Sequence, residues 1–126
     1  MKKLPYATHL GIKIISDKDN KSHLELDIKP YHLNRHDVLA GGLLYSIADV
    51  GMGLALYPTL ADGQICATVE IKMSYFNSAN EGKIDCYTKT IKRGKRMAFF
   101  ESEVYHKKTL LAKASGSYII LTPKKV

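Results

Sequence analysis

The chain has 126 residues and a mass of 14.1 kDa, which suits a single domain over residues 1–126 and leaves little room for two. Hydrophobic residues make up 45% and charged residues 25%, a globular composition that excludes a disordered chain. Nineteen basic against 12 acidic residues give a net charge of +7, which points to an anionic partner.

That surplus is unevenly placed. Residues 1–82 hold 8 basic and 9 acidic residues, whereas residues 83–126 hold 11 and 3. Phosphates on a small molecule, nucleic acid or a membrane surface are the candidate partners. The opening Met1-Lys2-Lys3 could begin a signal peptide, but Pro5, Thr8, His9 and Lys13 interrupt any apolar stretch, and none is expected. Cys66 and Cys86 form no CxxC and have no histidine nearby at ligand spacing. They argue against a zinc site and are too few for a disulfide framework, so both read as reduced strand residues of a cytoplasmic protein.

Residues 4–10 read as a short helix or coil. Residues 11–15 and 23–28 read as strands joined by the polar turn Ser16-Asp17-Lys18-Asp19-Asn20-Lys21, hence a hairpin. Residues 30–37 form a loop. The next 24 residues, 38–61, carry one charge, Asp49. Four glycines, Pro58 and the central aspartate argue against a membrane span. The stretch is instead predicted as a soluble helix over about 39–57, apolar nearly all round and so buried on most sides.

From residue 65 the pattern is β. Strands are predicted over 65–76, with Val69, Ile71, Met73 and Tyr75 on one face, and over 83–91, 97–105 and 110–121. The segments 77–82, 92–96 and 106–109 join them. The fold class is α+β: one long helix and five or six mostly antiparallel strands. One sheet covers only one side of such a helix, so a second layer is expected from another subunit.

Asp49 is the most informative residue. An unpaired carboxylate in an apolar helix is costly, and carboxylates so placed are enriched at active sites. The plainer alternative is a structural aspartate bonding a nearby backbone group, or one at the solvent edge. Gly42, Ser46, Asp49 and Gly53 share one helical face. Gly41-Gly42 opens the helix, where the first amides lack intrahelical partners and can bind an anion or polarise a carbonyl. By itself a Gly-Gly fits a plain turn or tight packing equally well. Asn34, just upstream, offers a donor and an acceptor and reads on its own as a loop-conformation residue. His32 and His36 flank it and read as solvent-exposed loop histidines.

Lys92-Arg93-Gly94-Lys95-Arg96 puts four positive charges in five residues. It suits a phosphorylated small molecule better than nucleic acid, for which stacking aromatics or a recognition helix would be expected. Phe99 and Phe100 are adjacent, so they point to opposite faces of a strand and only one belongs to the core.

The segment His32-Leu33-Asn34-Arg35-His36-Asp37-Val38-Leu39-Ala40-Gly41-Gly42, with Ile47-Ala48-Asp49 and Gly53, resembles the signature of the PaaI-like acyl-CoA thioesterases. Thr68-Val69-Glu70, residues 74–79 and the basic turn followed by residues 99–104 extend the likeness over about 9–121. The resemblance implies a hotdog fold, a long helix wrapped by an antiparallel sheet, assembled as a homodimer or a dimer of dimers. It implies an acyl-CoA substrate and no metal or other cofactor, with neither nucleic acid nor membrane as partner. In this reading the Gly41 or Gly42 amide polarises the thioester carbonyl, and Asp49 acts across the dimer interface as base or nucleophile. Asn34 orients the water or carbonyl, and Thr68 helps place the water. Arg93, Lys95 and Arg96 meet the coenzyme A phosphates.

Two positions depart from that signature. Ala40 stands where the family usually has histidine and Asp37 where it usually has glycine. His36 is a candidate to stand in for the missing imidazole. The loss of that histidine also motivates an alternative, a hotdog protein that binds acyl-CoA or an acyl carrier without turnover.

Overall fold

The computed structural model describes residues 4–124; the Met1-Lys2-Lys3 start considered above lies outside them. A short helix α1 (Pro5–Leu10) leads through Gly11, at φ +85°, into strand β1 (Ile12–Ser16). The polar turn that follows places Asp19 and Asn20 at positive φ, a conformation these two residue types tolerate, and returns the chain as β2 (Lys21–Asp27). A loop with one 3₁₀ turn leads to the long helix α2 (Gly41–Leu56). Four strands complete the chain: β3 (Ile65–Tyr75), β4 (Lys83–Arg93), β5 (Met97–His106) and β6 (Thr109–Leu121). They form one six-stranded sheet in the order β1-β2-β4-β5-β6-β3, every neighbour antiparallel.

The sheet lies against one side of α2. The period-2 alternation of β2, β4 and β5 turns Leu24, Leu26, Ile84, Cys86, Ala98, Phe100 and Val104 inward. The neighbouring Phe99 is 43% exposed on the outer face. Charged residues cover much of that outer face. On it His23, Glu25 and Asp85 hold three metal-type donor atoms within 4.8 Å of one another. They pair off instead: His23 with Asp85 at 2.8 Å, and Glu25 with the Lys83 ammonium at 3.0 Å. An amine thus already neutralises Glu25.

The helix is less enclosed than its composition predicts. Leu43, Leu44, Ile47, Ala48, Gly51, Met52, Ala55 and Leu56 form the buried stripe, while Tyr45, Asp49, Val50 and Leu54 stay partly or fully exposed on the other side. Within this single chain the helix is buried on one side, because one sheet is the only layer the chain has to offer it. One core cluster joins Leu43, Leu44 and Ile47 of α2 to α1, β1, β2, β4 and residues of β5 and β6, and a second joins Ala48, Met52, Ala55 and Leu56 to β5, β6 and part of β3.

The helix comes close to the sheet at Gly51. A Cβ there would lie 2.6 Å from Thr88 Oγ1 and 3.2 Å from Ser22 Oγ. Ser22 donates to the Gly51 carbonyl at 2.7 Å, and Thr88 shares a buried hydrogen bond with Ser102, so neither hydroxyl is at liberty to retreat. At Gly53 a Cβ would meet the Tyr118 hydroxyl at 3.6 Å, ordinary contact. The same substitution at the two sites therefore has opposite signs. Gly51→Ala loses stability, because overpacking costs about 1–3 kcal/mol and outweighs the helix-propensity gain of about 1 kcal/mol. Gly53→Ala keeps that gain of about 1 kcal/mol. Urea unfolding midpoints of the two variants read both directions.

Strand β3 departs from simple alternation. The register slips between Thr68 and Glu70, making Val69 a bulge residue. Val69 does not share a face with Ile71, Met73 and Tyr75; it is exposed, whereas Ile71 and Met73 pack on the core under α2. No helix among the described residues is long and apolar enough to cross a membrane.

Candidate active site

The loop before α2 is built by its own side chains. Asn34 Oδ1 accepts the backbone N–H of His36 at 2.8 Å and of Val38 at 3.4 Å. Asp37 sits at φ +59°, the left-handed region that glycine enters freely and aspartate tolerates. The aspartate thus follows a glycine-type path, and the loop closes through the Leu33–Leu39 bridge. His32, expected at the surface, is 3% exposed. Its Nδ1 accepts the Lys29 N–H at 2.9 Å, which leaves Nε2 to donate to the Leu10 carbonyl at 2.7 Å. This imidazole joins α1 to the loop. The remaining anchors are Leu39 N–H on Ala79 O at 2.9 Å and Ala40 N–H on His32 O at 3.0 Å.

These bonds fix where α2 begins. Ala40 is the N-cap, with φ −63° and ψ 135°, and no side chain caps the first turn. The Gly41 and Gly42 amides therefore stand at the positive end of the helix with no intrahelical acceptor. Tyr75 on β3 donates its hydroxyl to Gly41 O at 2.8 Å and steadies this end. A Cβ on Gly42 would meet nothing within 4 Å, so its backbone is open to approach. Ser46, on the same helix face, is hydrogen-bonded to Tyr6 of α1 at 2.8 Å.

Asp49 lies two turns further on, half-buried. Its Oδ1 accepts from Thr68 Oγ1 at 2.7 Å and shares the single Tyr118 O–H with the Asp49 carbonyl, which lies 2.6 Å from that hydroxyl. Thr68 and Tyr118 are direct cross-strand partners on β3 and β6. Burial, and then the bond to Asp49, push the Tyr118 phenol well above its ordinary range, so it stays a donor.

The remaining predicted site residues are more dispersed. Arg93 is occupied by the fold: Nε donates to Thr59 Oγ1 at 3.1 Å, Nη2 to Thr59 O at 3.1 Å and Nη1 to Gly94 O at 2.7 Å. It ties the basic turn to the C-terminal end of α2, roughly 24 Å from Gly41 at 1.5 Å per residue. Lys95 and Arg96 are exposed on that turn. His36 is exposed on the loop, and Asn34 has its carbonyl oxygen committed to the turn.

Comparisons with known proteins bear on the family and the fold. A family model described as the thioesterase superfamily matches residues 36–113, which includes α2 and Asp49. The chain belongs to the thioesterase superfamily. It is 31% identical over 103 residues to the "Putative esterase PA0474" of Pseudomonas aeruginosa, covering 81% of this chain and 77% of that one. It also resembles the conserved protein PA5202 of the same organism, with a TM-score of 0.90, 28% identity and coverage of 94% and 95%. A mutant of the phenylacetic acid degradation protein PaaI from Thermus thermophilus superposes with a TM-score of 0.85 at 22% identity, covering 91% and 97%. That likeness is one of fold, and the fold is the hotdog. Membership places this thioesterase among the thioester hydrolases.

Sequence reasoning misplaced one residue, His32, and missed another, Tyr118. His32 lacked any local mark of burial, since its acceptor lies on α1. Tyr118 was legible only as a strand tyrosine, because its link to Asp49 depends on the β3–β6 register.

Proposed function

We propose that the chain hydrolyses acyl-CoA thioesters to a free acid and coenzyme A, as a homodimer whose sites each combine both subunits. The observation that carries this is the Asp49 carboxylate, oriented by Thr68 and Tyr118 on the helix whose first turn presents the Gly41 and Gly42 amides. Along one helix those amides lie about 10–12 Å from Asp49 at 1.5 Å per residue, too far for one carbonyl to touch both. A second copy with its helix alongside brings its own Asp49 to them. The eleven-residue strand β3, bonded to β6 on one side only and exposing Ile65 and Val69, is the edge such a pairing covers. It also supplies the second layer for the uncovered side of α2. Two such dimers can stack without altering either site, so a dimer of dimers fits equally.

In the reaction the thioester oxygen accepts from the Gly41 or Gly42 amide, which stabilises the charge that forms there. Asp49 takes a proton from the attacking water and passes it to the departing sulfur, or attacks the carbonyl itself to form an anhydride that water then hydrolyses, with a proton of that water going to the thiolate; both roles need the same carboxylate in the same place. Collapse of the intermediate breaks the C–S bond and the coenzyme A thiolate leaves with a proton. Thr68 and the remaining amide group of Asn34 help place the water or carbonyl. Lys95 and Arg96 meet the phosphates, with Arg93 shaping their turn; exposed His36 lies near the helix start as a further contact. Neither Cys66 nor Cys86 is in a disulfide, which suits the cytoplasm where acyl-CoA is found.

Ala40 supports a second reading, binding without turnover, because a methyl stands where the family signature has an imidazole. One assay separates the two. Free-thiol release from short, long and aryl acyl-CoAs is expected to show turnover; its absence across the panel, with the same ligands raising Tm, would leave the binding protein.

A further inference from the structure

We propose that Tyr118 is a positioning residue of this site: with Thr68 it occupies Oδ1 of Asp49 and so reserves Oδ2 for the reaction. The inference rests on the thioesterase reading. Tyr118 is 4% exposed, and its ring stands edge-on to Phe100 with centroids 5.6 Å apart, so the phenol has one place to point. Its hydroxyl reaches both the backbone carbonyl and Oδ1 of the same aspartate. That double contact ties the carboxylate to its own backbone and fixes its rotamer. Gly53, one turn along α2, leaves the passage open: even a Cβ there would sit 3.6 Å from the hydroxyl.

Thr68 and Tyr118 face each other across one rung of the sheet, so the two donors arrive as a unit. Both hydrogen bonds end on Oδ1. An oxygen holding two donors has its electron density engaged and is the poorer base. Oδ2 is left to accept the water proton or to attack. The clamp also prevents a carboxylate flip that would exchange the two oxygens between turnovers.

The test is Tyr118→Phe, which removes one O–H and keeps the ring, assayed with the best acyl-CoA of the panel at a temperature where circular dichroism shows the variant folded. The expected result is a kcat lower by about 10–100-fold, as for groups that orient a reacting side chain, with KM within about twofold. Thr68→Val, at an exposed strand position, is expected to act the same way. In an Asp49→Ala background, Tyr118→Phe should leave the residual rate unchanged. A wild-type kcat in folded Tyr118→Phe would overturn the proposal, and so would a loss that falls on KM instead of kcat. A wild type that turns over no acyl-CoA would sink the thioesterase reading itself, and this role with it.

Discussion

Asp49→Ala loses turnover, with kcat down by about 10²–10⁴-fold, the contribution of a positioned base. The argument is geometric before it is chemical. The variant removes the carboxylate and with it the acceptor for Thr68 and the buried Tyr118 hydroxyl. Tyr118 keeps the Asp49 backbone carbonyl at 2.6 Å, so the phenol is not left without a partner and the helix is not left over a charge. Alanine is also the better helix former at that position. Folding is therefore expected to survive while chemistry does not. Thiol release from acyl-CoA, compared between wild type and variant at matched Tm, reads the effect. Wild-type turnover in the variant would remove Asp49 from the mechanism. Asp49→Asn serves as the closer control, since it keeps an oxygen for the two donors and lacks the basic lone pair.

Subunit mixing gives the second large effect. Gly41→Pro deletes one amide at N1, where proline is well tolerated after an extended Ala40, although its Cβ would lie 3.3 Å from the Tyr75 ring, which must give slightly. Losing one such donor costs about 10²–10³-fold in kcat. With the Gly41 amide as the donor to the carbonyl, Gly41→Pro and Asp49→Ala are each expected to be nearly inactive alone; a fully active Gly41→Pro would assign that donor to Gly42. Refolded or co-expressed together at equal amounts, they form heterodimers in which one site holds both intact residues and the other neither. With random pairing in a two-fold dimer, the mixture regains roughly a quarter of wild-type activity. If each site were built within one chain, mixing would restore nothing. Recovery therefore tests the shared site directly, and a flat result would confine the reading to single chains.

The helix and the sheet were legible because their signals are long. A run of 24 residues with one charge resolves into Gly41–Leu56, and the strands end within two residues of the positions that alternation predicts. Asp49, Gly41 and Gly42 stood out because each breaks the pattern around it. What stayed hidden depends on partners distant in sequence. The His32 imidazole is buried by a carbonyl 22 residues away, and Tyr118 meets Asp49 across 69. Arg93 looked like one of four equivalent cations; its hydrogen bonds to Thr59 and Gly94 make it the brace of the turn instead. Asn34 carried a site assignment from the family resemblance, while the plainer reading, a residue that shapes its loop, describes what its Oδ1 does here. Asp37 looked like a departure from the signature, yet it sits at φ +59°, a path that glycine takes freely and aspartate tolerates.

The bulge at Val69 divides β3 into two stretches of opposite parity. Thr68, before it, reaches Asp49, and Ile71, Met73 and Tyr75, after it, face the same helix. Without the extra residue, one of these sets would point away from α2. Each half of the strand is thus phased on its own, and sequence drift in the packing half leaves the hydroxyl at the site in place. The bulge lets a lineage retune its core and its chemistry separately, on a single strand.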